Sequence, residues 1–259
     1  MAEATPPLIE IRNVSKTFAL QGQAIHALKD ASLTITRGEF VTLIGASGCG
    51  KSTLLRIMAG FESPTSGEAL MWGRPIDGPA PQRGMVFQDY ALFPWLSVRQ
   101  NIAFGPVSQG WPRQRVRETV DRFVEMVGLT RFADAYPHQL SGGMRQRVSI
   151  ARVLANDAEL VLMDEPFGAL DAMTRERLQE ELLDIWRATK LTVVFVTHAV
   201  EEAILLADRV VVMTPGPGRI ESDNAITLAR PRDVASTEFN AVRRDMSGRL
   251  HSHHGRRAA

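Results

Sequence analysis

Eight consecutive residues, Gly45-Ala46-Ser47-Gly48-Cys49-Gly50-Lys51-Ser52, fit the pattern G-x-x-x-x-G-K-[ST] at every fixed position. Glycines at these places let backbone N–H groups turn inward around phosphate oxygens. A helix opening there adds a partial positive charge. Lys51 brings a full charge near the β and γ phosphates of a nucleotide, and the Ser52 hydroxyl suits Mg²⁺. Cys49 reads as a small loop residue rather than a nucleophile, because no histidine partner lies near it in sequence. Further on, Leu160-Val161-Leu162-Met163-Asp164-Glu165 sets two carboxylates after an apolar run. Asp164 suits Mg²⁺, directly or through water, and Glu165 suits a water aimed at the γ phosphate. Adjacent carboxylates repel, and a cation between Asp164 and the phosphates relieves that repulsion. The plainer alternatives are a glycine-rich turn before an ordinary helix and a solvated acidic turn. The two motifs together favour nucleotide chemistry over both.

These residues need strands and helices to hold them. Leu8 to Val14 alternates apolar and polar, as a half-buried strand does. Phe40 to Ile44, Leu160 to Met163, Thr192 to Val196 and Val210 to Met213 are short apolar runs, which suits strands covered on both faces. Helical patterns lie between them at Lys51 to Ala59, Met173 to Thr189 and Ala199 to Leu206. Alternation of this kind predicts an α/β fold. The phosphate loop thus follows a strand and opens a helix, the context its motif requires. The acidic pair falls at a strand end, where parallel sheets bind ligands. From Asp89 to Ala155 the pattern is helical and punctuated by Pro94, Pro106, Pro112 and Pro137, so a mainly helical insertion is expected. Within it, Arg113 to Arg131 carries mixed charges around Val116, Val120, Phe123, Val124 and Val127, an amphipathic surface helix.

Composition narrows the function classes. The chain has 259 residues, 30 Lys plus Arg and 29 Asp plus Glu, for a net charge of +1. That balance makes no electrostatic case for a dedicated nucleic-acid binder. With 44% hydrophobic and 23% charged residues the chain is too apolar to be disordered. A lone cysteine excludes a disulfide framework and a four-cysteine zinc site. No stretch reaches the ~18 apolar residues of a membrane span. The start, MAEATPPLIE, lacks the regions of a signal peptide. The expectation is a cytoplasmic chain that meets a membrane through a partner. Residues 1–7 read as a disordered lead, and the ending HSHHGRRAA as mobile.

A third motif makes the reading specific. Leu140-Ser141-Gly142-Gly143-Met144-Arg145-Gln146-Arg147 precedes a helical run, Val148 to Leu154, and lies just ahead of Asp164. Ser141, Gly142 and Gly143 at a helix start form a second anion site. This segment resembles the LSGGQ signature of ATP-binding-cassette (ABC) ATPases, with Met144 in place of the common Gln. The resemblance implies two subunits meeting head to tail, each signature covering the γ phosphate held by the other's phosphate loop. It implies ATP and Mg²⁺ as cofactors. Nucleotide-binding positions then run from Gly45 through Ser52 to Thr53. The resemblance also implies roles for Gln88, the Q-loop glutamine that senses Mg²⁺ and the attacking water, and for Asp171 in the D-loop, where Gly168 stands at a frequent Ser. His198 is implied as the switch histidine near the γ phosphate and Glu165. Phe18 is implied as the aromatic stacked on adenine, where Tyr is commoner; a core role for Phe18 stays open. Ser52, Gln88 and Asp164 are the implied metal set, and Glu165, His198, Lys51 and Gln88 the catalytic set.

The resemblance covers about Leu8 to Arg232. It implies a P-loop NTPase of α/β class: a RecA-like ABC ATPase core with an N-terminal antiparallel β portion and an inserted helical subdomain. The single domain spans 8–232, the subdomain about 89–155, and 233–259 is a C-terminal extension. GPAPQRGMVFQ (78–88), LFPWLSV (92–98), PGPGRI (215–220), Arg230-Pro231-Arg232 and Glu238-Phe239-Asn240 are similar to the nitrate/sulfonate/taurine importer branch. The implied protein is a peripheral ATPase at the cytoplasmic face of the inner membrane. It works as a homodimer with two transmembrane permease subunits, an extracytoplasmic solute-binding protein and no nucleic acid. In the family, Phe93-Pro94-Trp95-Leu96 falls on the surface that receives the membrane subunit; ordinary core packing is the alternative. A soluble ABC ATPase acting on nucleic acid or ribosomes is the rival function. It is disfavoured by the single cassette and the lack of a long coiled-coil insertion. His251, His253 and His254 read as adventitious rather than metal ligands. Arg256 and Arg257 read as solvated rather than lipid-bound.

Overall fold

The computed structural model of the protein describes residues 6–20 and 22–251. The chain divides into two compact units, Met1–Pro79 with Thr192–Ala259, and Ala80–Leu191. The first unit opens with β1 (Ile9–Leu20), β2 (Gln23–Ile35), β3 (Phe40–Gly45), α1 (Lys51–Ala59), β4 (Ser66–Met71) and β5 (Arg74–Pro75). The second holds β6 (Arg83–Val86), α2 (Val98–Ser108), α3 (Arg113–Met126), α4 (Gly142–Leu154), β7 (Leu160–Asp164) and α5 (Ala172–Thr189). The chain then completes the first unit with β8 (Thr192–Thr197), α6 (Val200–Leu206), β9 (Arg209–Thr214), β10 (Arg219–Ala225) and α7 (Thr237–His251).

In the first unit β3 pairs in parallel with β8 on one side and β9 on the other, and β10 joins β9 antiparallel. Every residue of β3 and β8 is buried, as their unbroken apolar runs require. The rings of Phe40 and Phe195 lie 6.1 Å apart across the pair. Both α1 and α6 pack on these strands. Helix α1 buries Leu54, Leu55, Ile57 and Met58 and stops at Gly60, which adopts φ 83. There the Gly60 N–H bonds Ile57 O and the Phe61 N–H bonds Arg56 O, closing the last turn. A separate antiparallel sheet runs in the order β2-β1-β4-β5. Strand β1 extends well past Val14, the end suggested by alternation. Its register shifts between Ile11 and Val14, and again on either side of Lys16, as it pairs with β2. Residues beyond Val14 are half-buried or exposed, so hydrogen bonding rather than an apolar face continues the strand.

In the second unit β6 and β7 form a parallel pair, and α4 packs on β6 and on α2, α3 and α5. Residues 89–155 contain no strand. Helix α2 starts at a capping box, in which the Ser97 side chain accepts from Gln100 N and the Gln100 side chain accepts from Ser97 N. Buried Asn101 then ties down the preceding loop, with Nδ2 donating to Phe93 O, Leu96 O and Ser97 O and Oδ1 accepting from Phe93 N. Helix α3 buries Val120, Phe123 and Val124 and ends at Met126, short of Arg131, because Gly128 takes the left-handed conformation. Helix α4 begins at Gly142, six residues before Val148, so the signature-like residues form its first turn.

Candidate nucleotide-binding site

Strand register gathers the first unit's site residues. Ile44 lies opposite Thr197 in β8, and Gly45 opposite Met213 in β9. The phosphate loop, His198 and the end of β9 therefore leave the sheet along one edge, the carboxyl ends of parallel strands. Lys51 is only 6% exposed, and its ammonium donates to Gly45 O at 2.8 Å and Ala46 O at 3.1 Å. Ser47 and Gly48 are exposed, Ala46, Gly50, Ser52 and Thr53 half-buried, Gly45 and Cys49 buried. Burial pushes the Cys49 thiol up against the pull of Lys51, which keeps it protonated.

Two glycines hold this loop in place for steric reasons. Gly50 has φ 90, and a Cβ there would stand 2.6 Å from Leu28 Cδ2 and 2.7 Å from Ala27 O. Gly218, in the turn between β9 and β10, bonds into β2 through Gly218 N to Ala27 O and Lys29 N to Gly218 O. A Cβ on Gly218 would stand 2.2 Å from Cys49 O. The Pro-Gly-Pro-Gly turn is thus a brace laid directly on the phosphate loop, a role its residues did not announce in the sequence. His198 is exposed, between the last residue of β8 and the start of α6, where Thr197 Oγ1 accepts from Ala199 N at 3.0 Å. Phe18 is half-exposed on β1, with the Lys16 ammonium 4.8 Å from its ring centroid. The ring keeps part of its surface in solvent, where a base could stack.

The second unit carries the remaining residues. Val86 opposite Met163 places Gln88 and the Asp164–Glu165 pair beyond the same edge of β6 and β7. Glu165 is half-buried and adopts φ 46, a left-handed conformation that costs a non-glycine residue about 1–3 kcal/mol. A Cβ on Gly168 would have Gln88 Nε2 at 3.7 Å and Glu165 Oε2 at 3.9 Å, so the two side chains converge there. Ser141 caps α4 by accepting from Met144 N at 3.3 Å. Gly143 lies against the start of α5, where a Cβ would meet Thr174 Cγ2 at 2.8 Å. Asp171 caps α5 by accepting from Thr174 N at 3.0 Å, and that bond holds its carboxyl below the usual range. Tyr90 and Ala91 are also left-handed, and the Arg145 guanidinium sits 5.4 Å from the Tyr90 ring centroid. Tyr90 was not singled out from the sequence, because nothing in its residue type marks a left-handed backbone.

Beyond this edge the second unit exposes aromatic surface. Trp95 is 70% exposed, 5.7 Å from Phe93, whose ring lies 4.4 Å from half-exposed Phe104. Core packing is therefore excluded for Trp95. No helix among the described residues is long and apolar enough to cross a membrane. No cluster of three or more His, Cys, Asp or Glu that could hold a metal occurs among them. His253, His254, Arg256 and Arg257 lie outside the described residues, as do residues 1–5.

Comparison with known proteins supplies an independent assignment. The family model described as ABC transporter matches residues 28–168. The chain is 50% identical over 222 residues to the taurine import ATP-binding protein TauB of Roseobacter denitrificans, covering 85% of this chain and 83% of that protein. It is 45% identical over 237 residues to the nitrate import ATP-binding protein NrtD of Synechocystis, covering 92% and 89%. A dimeric ATP-binding cassette in a post-hydrolysis state, bound to ADP and Pi, superimposes with a TM-score of 0.74 at 32% identity, over 85% of this chain and all of that one. On the family match, the extent of these identities and the shared fold, the chain belongs to the ABC transporter family of ATP-hydrolysing cassettes.

Proposed function

We propose that this chain is the ATP-hydrolysing, energy-coupling subunit of an importer for a small anion of the nitrate, sulfonate or taurine type. The observation that carries the reading is 50% identity to a taurine import ATP-binding protein across 85% of the chain. The phosphate loop, Lys51 and the half-exposed Phe18 ring suit a nucleoside triphosphate. Ser52, Gln88 and Asp164 offer the hard oxygen donors that Mg²⁺ takes together with phosphate oxygens. Bound there, the ion would neutralise phosphate charge. Glu165 orients and activates the attacking water, and Gln88, beside it, senses that water. Lys51 stabilises charge as the γ phosphoryl departs, and His198 contacts the γ phosphate.

Two copies close head to tail, so that Ser141, Gly142 and Gly143 of each add N–H donors at the other's phosphate loop, with Asp171 at the interface. Closure moves two permease subunits between access states, and an extracytoplasmic solute-binding protein delivers the anion. The Phe93–Trp95–Phe104 surface is the docking site for the permease, since exposed aromatic anchors are typical hot spots. That docking holds the chain at the cytoplasmic face of the membrane. The test is affinity purification from native membranes in mild detergent with mass spectrometry. A stoichiometric polytopic membrane protein is expected. Recovery with soluble nucleic-acid or ribosomal partners alone would replace the transporter reading and leave the ATPase chemistry intact.

A further inference from the structure

Helix α6 begins two residues after His198 and is only seven residues long, about 10 Å. So short a helix is marginal alone, and its last carbonyl groups need partners. The residues after it, Ala207 and Asp208, bring neither a glycine nor a side-chain cap. Two arginines from the segment after β10 do this work. Arg232 Nη1 donates to the carbonyls of Ile204, Leu205 and Ala207, its Nε to Leu228 O and its Nη2 to Ile226 O. Arg230 Nη2 donates to Leu206 O, and its Nη1 pairs with Asp208 at 2.6 Å. The other Asp208 oxygen accepts from Phe40 N at 2.9 Å, which ties the cluster to the first residue of β3. Both cations sit at the negative end of the helix dipole. At the opposite end of α6, Arg243 of α7 reaches Glu201 at 3.2 Å, while Phe239 of α7 is fully buried.

We infer that Arg232, seconded by Arg230, is a positioning residue for His198, clamping the end of α6 so that the helix presents the histidine at the sheet edge. Only Ala199 separates His198 from α6, so a tilt or slip of the helix passes to the imidazole with almost no slack. A lysine cannot replace this clamp, because a point charge cannot fork to carbonyls on three sides as a guanidinium does. Burial pulls the Arg232 guanidinium down to about 10, helped by Arg230 and opposed by Asp208. The group therefore remains charged at neutral pH, held by carbonyl oxygens. The inference rests on the role proposed for His198.

The test compares wild type, Arg232→Ala, Arg232→Lys, His198→Ala and the double variant Arg232→Ala/His198→Ala as purified full chains. Readouts are single-turnover ATP hydrolysis, ATP affinity and the imidazole NMR signal of His198, assigned by its loss in His198→Ala. In Arg232→Ala hydrolysis is expected to fall roughly tenfold to a hundredfold, the cost of a small misplacement. ATP affinity is expected to hold, the His198 signal to shift, and the double variant to match His198→Ala. Arg232→Lys is expected between wild type and alanine, and it carries the test if the alanine variant does not fold. Unchanged hydrolysis with an unmoved His198 signal overturns the clamp. So does a further loss in the double variant equal to that in the single one. Wild-type hydrolysis in His198→Ala removes the role of His198 instead, and the NMR shift alone then decides whether Arg232 positions it.

Discussion

At the residue scale, Glu165 combines an acidic side chain with a left-handed backbone. The strand end alone does not demand that conformation; the turn into Gly168 does, since Gly168 N bonds Glu165 O at 3.1 Å. Gly168 then lies close to both the Glu165 carboxylate and the Gln88 amide. Glu165→Gln keeps the shape and removes the base, so it should bind ATP, accumulate as a dimer and lose about 10²–10⁴-fold in turnover. Steady-state kinetics with size-exclusion chromatography checks this, and near-normal turnover would remove Glu165 from its role. Gly218 makes a different point, because it touches no phosphate. Gly218→Ala must push the Cys49 carbonyl and with it the loop. KM for ATP should rise roughly tenfold, the equivalent of about 1.4 kcal/mol, and the thermal midpoint of the chain should fall as well, because the clash is with backbone of both the loop and β2. An unchanged KM would show that the brace is slack.

Elements carry stability through their caps. Ser97 closes a reciprocal box at α2, directly after the aromatic loop that Asn101 pins. Ser97→Ala should cost about 1 kcal/mol in urea denaturation, and a cost near zero would mean that Asn101 alone sets the helix start. Asp171 caps α5 with a carboxyl held below its usual range. A depressed carboxyl contributes stability that is complete above its unfolded value and is lost as pH falls through its folded value. Asp171→Asn keeps the cap but not the charge. Wild type should therefore be the more stable at neutral pH, and the two should converge on acidification. Parallel curves at all pH values would discount the charge.

For the whole molecule, the proposed transport role requires ATP chemistry to act through a membrane partner, since no helix among the described residues is long and apolar enough to cross a membrane. The exposed aromatic cluster around Trp95 is the surface suited to transmit it. Trp95→Ala should leave the thermal midpoint intact, since the side chain is 70% exposed, and should weaken permease association by about 2 kcal/mol or more. Co-purification from membranes measures this directly, and full retention of the permease would move the docking site elsewhere.

Local chemistry was legible without coordinates. Gly45 to Ser52 between an apolar run and a helix, and Asp164–Glu165 after another, announce themselves because phosphate binding needs particular residues at particular neighbouring places. The buried strands β3, β7, β8 and β9 were equally plain, since strands covered on both faces must be apolar throughout. The second half of β1, β10 and helix α7 were not, because their faces are largely exposed and backbone pairing in hairpins, rather than an apolar stripe, continues the two strands. Gly218 on the phosphate loop and Arg232 on the end of α6 read only as marks of resemblance until folding joined them to Cys49 and Ile204. Their work is to satisfy or exclude atoms of segments far along the chain, and such a duty is defined by distance in space, which residue type and spacing do not encode.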